Sequence, residues 1–249
     1  VGPHSVEEVL DFMAELDYLH PGKPQTFELL PAYLSGRTTR IETPGAQSQT
    51  IQLNFPIQHD LLPRSLEGYV SGVVTAQFFR ELREKGLVYA SHAGFREEGR
   101  AKSFWVNLQT SPETVENCLE VVCDHLLRLQ HGVGPDGFDS KHVNRIMQGI
   151  AINNNTAAEQ HSCQIFHYIC NQVAQCMTPV PIREYYVERT LEEVDEAAKL
   201  LHLAIMQTPP NLLSVGPRLD VPSAEDIAKR MGITAPPLSS WKITPTNQP

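Results

Sequence analysis

The sequence predicts an α+β fold, and three features carry the prediction. The first is a change of period inside Gln77–Phe95. Phe78, Phe79 and Leu82 recur at helical spacing with charges between them, and Lys85 and Gly86 supply a C-terminal stop. Leu87 to Gly94 then alternate as a strand, with Leu87, Tyr89, Ser91 and Ala93 on one side and Val88, Ala90, His92 and Gly94 on the other. The second feature is a pair of hairpin patterns, each two alternating runs around a turn. The third is a series of Ser and Thr residues that cap amphipathic runs.

In chain order, Ser5 with Glu8 makes a capping box for a helix on Val6, Val9, Leu10 and Met13, which His20-Pro21-Gly22-Lys23-Pro24 ends. Residues 24–36 read as an extended linker. Arg37–Thr43 and Gln49–Phe55 flank Pro44-Gly45-Ala46 and read as a β-hairpin. A helix is expected over about 65–85, interrupted by Gly68 and Gly72. The second hairpin joins the strand after Gly86 to Lys102–Leu108 through a turn at Arg96–Arg100.

Ser111 and Pro112 open a helix with Val115, Leu119, Val122, Leu126 and Leu129 on one face, and Gly132–Gly137 breaks it. A long helical region covers about 139–176, broken near Asn153–Thr156, and a shorter helix covers about 182–189. Thr190 to Glu193 is a second capping box, for a helix through about Ala204. Leu212, Leu213 and Val215 form a strand, and Ser223 starts a last helix to about Met231. Val1-Gly2-Pro3 and Val215-Gly216-Pro217 each precede a capped helix. Residues 1–24 therefore read as the terminal helix of a preceding repeat, 25–234 as the main domain and 235–249 as a Pro-rich tail.

The bulk numbers exclude several classes. The 249 residues carry a net charge of −9 and no Lys/Arg cluster, which argues against a nucleic-acid binder. No apolar run approaches the roughly 18 residues that span a bilayer, so no direct membrane span is expected. The chain starts abruptly, without a signal or transit pattern, as if upstream sequence preceded it. The 5 cysteines are odd in number and sit in helical patterns, which suits buried reduced thiols.

Catalytic chemistry is hard to place. A zinc peptidase needs two His on one helix face and a Glu base beside them, and neither His-x-x-Glu-His nor His-Glu-x-x-His occurs. The nearest metal-like group is Cys163, His167 and Cys170, at i, i+4 and i+7 with His161 nearby. Three such ligands hold zinc only if a fourth comes from elsewhere. The alternative, which we prefer, has the cysteines as small apolar side chains and His167 packed in a core or interface. Gly132–Gly137 lacks the Lys and strand context of a phosphate loop. No cofactor is implied.

Leu82-Arg83-Glu84-Lys85-Gly86-Leu87-Val88-Tyr89 resembles the signature in the second domain of pitrilysin/insulinase-type peptidases, the group that includes mitochondrial processing peptidase. Val6–Leu10, Gln49–Phe55, Thr110–Val115, Ile182–Glu188, Leu191–Val194 and Ser214–Pro217 follow in that family's order, over about 1–234. The closing Ser214-Val215-Gly216-Pro217 is most similar to the β-type subunit of processing peptidase and to the core subunit of respiratory complex III. Two features depart from the pattern. The usual triple Gly is reduced to Ser71-Gly72-Val73, and the Arg-to-Tyr spacing is one residue shorter. The zinc domain has no counterpart here, so its ligands have no positions to occupy.

The resemblance implies a mostly antiparallel sheet with helices packed on one face, the processing-peptidase-like C-terminal half. It implies a non-catalytic subunit with a structural role in a mitochondrial complex, the core of complex III, on the matrix side of the inner membrane. The expected partners are protein subunits, including a processing-peptidase-like domain or chain. The alternative is the substrate-binding half of a presequence-processing zinc peptidase whose zinc domain lies elsewhere. Arg83 and Tyr89 would then face the substrate. The simpler reading of these two, a surface pair and a packed ring, is preferred.

Overall fold

The computed structural model describes residues 35–57, 61–98, 101–159 and 187–235, with the single positions 5, 7 and 11. The helices expected near 1–24 and 160–176, the cluster Cys163, His167 and Cys170, and nearly all of the tail lie outside these residues. Five strands and five main helices are described: β1 (Thr38–Glu42), β2 (Gln49–Ile57), α1 (Arg64–Phe78), β3 (Val88–Glu98), β4 (Ala101–Thr110), α2 (Val115–Arg128), α3 (Ser140–Glu159), α4 (Leu191–Ile205), β5 (Asn211–Gly216) and α5 (Ala224–Met231). The α+β expectation holds.

The strands form one mixed sheet in the order β1-β5-β2-β4-β3. Only β1 and β5 run parallel, so the sheet is mostly antiparallel. Alternation sorts its faces. Ile51, Leu53 and Phe55 of β2 lie opposite Leu108, Val106 and Phe104 of β4, and all six are buried. The intervening Thr50, Gln52, Asn54, Trp105 and Asn107 stay half-buried, and Gln109 is exposed.

Helices cover the apolar face. Tyr69, Val73 and Phe78 of α1, Leu119 and Val122 of α2, and Val194 and Leu201 of α4 join the strand residues in one core. Each fully buried side chain of this size contributes about 1.5–3 kcal/mol. The capping box expected at Thr190 with Glu193 is present, and the helix start expected at Ser223 is a capping box too, with Asp226. Buried Cys118 and Cys123 are free thiols, and burial pushes the Cys123 thiol up to about 12.

The structure corrects five expectations. β1 and β2 are not a hairpin, because β5 lies between them, parallel to β1 and antiparallel to β2. Gln49 explains the choice of partner. Its buried amide donates to Ser214 Oγ (2.6 Å) and the Arg218 carbonyl (3.1 Å), and accepts from the Arg218 N–H (3.1 Å). A polar group buried here needs those partners, and a direct β1–β2 pairing would displace the strand that supplies them.

Gly68 and Gly72 do not interrupt α1. At Gly72 a Cβ would come within 2.5 Å of Ile150 Cδ1, so the glycine lets α3 lie close to α1. The Asn153–Thr156 run does not break α3, which continues to Glu159. Val187–Arg189 are not helical. Finally, β3 and β4 pair as far as Glu98 and Ala101, so Arg96–Glu98 belong to the strand and not to a turn.

Candidate functional site: the groove beside the β3 edge

α1 does not stop at Phe78 but widens into a π-helical turn, Phe79–Arg83. The chain then reverses at Gly86, whose φ of 67° is the left-handed conformation that glycine adopts without strain. Gly86 N–H donates to the Arg83 carbonyl and Leu87 N–H to the Leu82 carbonyl, both at 2.9 Å. These two bonds are the Schellman pattern, as the Lys85-Gly86 stop predicts.

A bulge follows. Val88 pairs with Thr110 and Ala90 with Gln109, leaving Tyr89 as the extra residue. It changes the expected alternation. Val88, Ser91 and Ala93 point inward, and Tyr89 and His92 are exposed. The bulge sets the Tyr89 ring 57% exposed at the strand's start.

α1 runs along the free edge of β3. Thr75 Oγ1 donates to the Ala93 carbonyl (2.8 Å) and accepts from the Ala93 N–H (2.9 Å). One hydroxyl thus closes both edge groups of that residue. Arg83 Nη1 donates to the Tyr89 carbonyl at 2.7 Å. Arg83 and Tyr89 are therefore brought together, but through the tyrosine's main chain and not its ring.

Between α1, the π turn and β3 lies an open groove of about 690 Å³, flanked at one point by α3. Its floor is Gly72, Ala76, Phe79 and Ala93. Arg80, Arg83, His92 and His142 bring positive or protonatable groups, and Glu84 is the one carboxylate among the described lining residues. Two polar atoms are left over. Ser91 Oγ and His142 Nε2 are buried and have no hydrogen-bond partner among the described residues, and Ser91 as a whole is 3% exposed. Both residues line the groove. Buried polar atoms in native proteins are nearly always satisfied, so an unsatisfied pair in one groove marks a place where a ligand's polar atoms fit.

Arg83 and Tyr89 were visible in the sequence. Ser91, His142 and Arg80 were not, because they are distributed over a strand and two helices with no shared spacing. Their one sequence signal is the unusual small-residue strand Ala90–Gly94, which gives α1 and a ligand room to approach. Among the described residues, no group of three or more His, Cys, Asp or Glu could hold a metal ion. No described helix is long and apolar enough to cross a membrane.

An α+β unit whose described helices pack on one face of a mostly antiparallel sheet, with a groove at the sheet's edge, is the class that fold and site define. The model of the peptidase M16 inactive domain matches residues 1–150 of the 249, and the chain belongs to that family. It is a non-catalytic half. Solved structures share its fold. The peptidase M16 inactive domain from Pseudomonas fluorescens aligns over 89% of this chain and 54% of its own, at 20% identity and a TM-score of 0.63. The first half of the periplasmic protease PqqL from Escherichia coli aligns over 93% and 54%, at 11% identity and 0.66. A chain of complex III2 from Candida albicans aligns over 81% and 50%, at 11% identity and 0.63. The chain thus spans about half the length of these structures, which are parts of multi-domain or multi-subunit proteins. No curated protein matches it.

Proposed function

We propose that this chain is a structural, non-catalytic subunit or half-subunit of a mitochondrial complex on the matrix side of the inner membrane, in the manner of the complex III core. The observation that carries the reading is the sheet's second face. Thr50, Gln52, Asn54, Trp105 and Asn107 are half-buried there, while the helices described above gather on the other side. Among the described residues the sheet is layered on one side, and we assign its other face to a partner. The partner we assign is a processing-peptidase-like domain or chain. The likeness of its last strand, Ser214–Pro217, to the core-subunit branch supports the choice of complex.

The test is a native pull-down from mitochondria with subunit identification. Co-purification with cytochrome subunits, without presequence cleavage, is the expected result. Recovery with a zinc-domain chain and cleavage of presequence peptides would overturn it. That outcome favours the second reading, a substrate-facing wall, which rests on Arg83 lining the groove. Under it, Arg83→Gln and Tyr89→Phe lower the rate of peptide cleavage by the assembled complex, measured by product formation.

A further inference from the structure

We propose that the groove between α1 and β3 docks an acidic, extended protein segment, with a carboxylate held among Arg80, Arg83 and His142 and an apolar side chain laid on Phe79. The inference goes beyond the structural role, since it assigns this surface its own ligand.

Charge selects the ligand class. The chain as a whole is at −9, yet among the described lining residues the groove sets Arg80, Arg83, His92 and His142 against the single carboxylate of Glu84. Among the described residues the side chains of Arg80 and Glu84 have no ion-pair or hydrogen-bond partner, and the Arg83 guanidinium commits Nη1 to the Tyr89 carbonyl. Guanidinium forks left open in this way suit carboxylates. A basic segment would instead face two arginines.

Shape selects a protein segment over a small anion. A bare anion would occupy a small part of about 690 Å³, and the floor is carbon from Phe79, Ala76 and Ala93. Phe79 is 53% exposed, an apolar ring beside the cations that a neighbouring Leu or Phe of the ligand would cover.

The edge itself selects the mode of binding. Thr75 already closes both main-chain groups of Ala93, and Arg83 closes the Tyr89 carbonyl. A regular ladder cannot be added at those positions without breaking these bonds. Recognition therefore falls to side chains, and the orphaned Ser91 Oγ and His142 Nε2 provide two further points for ligand oxygens.

Three fluorescein-labelled decapeptides test this on the full chain by polarisation at low salt. One carries two Glu flanking a Leu in a Gly/Ser background, and the others replace the Glu with Gln or Lys. The Glu peptide is expected to bind about tenfold tighter than the Gln peptide, the loss that removal of a charge-assisted hydrogen bond brings, and the Lys peptide weaker still. Arg80→Gln, on an exposed side chain, should cost the Glu peptide a similar factor with the melting temperature unchanged. His142→Gln should weaken it several-fold and serves as the second variant. Equal binding of the three peptides, tighter binding of the Lys peptide, or parent-like binding by both variants overturns the proposal. These outcomes are independent of the pull-down, so a failed ligand and a failed complex assignment are told apart.

Discussion

The two edges of the sheet are finished differently. β3 is an edge that the chain closes for itself. Thr75 takes the N–H and carbonyl of Ala93, Arg83 takes the Tyr89 carbonyl, and α1 packs alongside. β1, at the other edge, is only five residues long, and four of them, Thr39 to Glu42, are exposed. Besides its ladder to β5, two side-chain bonds tie it to the C-terminal region, Arg40 Nη2 to the Val221 carbonyl and the Ala224 N–H to Thr38 Oγ1, both at 2.8 Å. Short length and charged neighbours are common ways of making an edge unattractive to other strands. A helix that supplies hydrogen-bonding side chains is a stronger one, because it occupies the edge and leaves a shaped groove behind.

Substitutions sharpen the contrast, beginning with the largest effect. Leu82 is fully buried where the π turn meets β3. Leu82→Ala should lower stability by about 2–5 kcal/mol in denaturant melts, with the β3 corner the first region to lose exchange protection.

Acid should act on the same corner. His125 is 1% exposed, its ring stands 5.4 Å from that of Phe78, and Glu81 Oε1 lies 3.5 Å from Nε2. Burial lowers its pKa from 6.5 to about 4. Glu81 and Asp124 pull it upward, and Arg128 and Lys85 push it further down. The unfolded chain then binds the proton more readily than the folded one. The stability is fully present above pH 6.5 and is lost as the pH falls through about 4. The expected loss is at most about 3 kcal/mol, and His125→Leu should flatten that window in melts at stepped pH.

Thr75→Val keeps the shape of the side chain but removes both bonds to Ala93. A cost of about 1–3 kcal/mol follows, with faster hydrogen exchange at the Ala93 amide and concentration-dependent association through the opened edge. Arg40→Ala on the β1 side should cost under about 1 kcal/mol, with no change in association by light scattering, because that side chain is exposed. If Arg40→Ala destabilised more than Thr75→Val, the ranking of the two edges would be reversed.

The same contrast explains what the sequence disclosed. Around β3 the determinants are local. The Leu82–Tyr89 corner, its Gly86 stop and the β3–β4 hairpin are short-range chemistry and were legible, as were the capping box at Thr190 and the helix start at Ser223 elsewhere in the chain. Around β1 the determinant is a buried Gln49 that finds Ser214 across 165 residues. Two alternating runs around Pro44-Gly45 mimic a hairpin, and no local pattern reveals the strand inserted between them. Tyr89 shows a smaller version of the same limit, since one bulged residue shifts which side chains face inward. In the groove, Arg83 could be found from its motif, whereas Ser91 and His142 become notable only once burial leaves them unpartnered.

The insertion of β5 also bears on how the molecule is made. Arg37 and Asn211, joined by a 3.1 Å hydrogen bond, are 174 residues apart. On the ribosome, β2, β3 and β4 can associate once about residue 110 is free, whereas β1 has no neighbour until residues 211–216 emerge. At 5–20 residues per second that is a delay of roughly 5–20 seconds. Throughout it, β2 shows an unpaired edge. The strand that completes the sheet follows β4 by about 100 residues, so a nascent chain stalled before Asn211 would expose that seam.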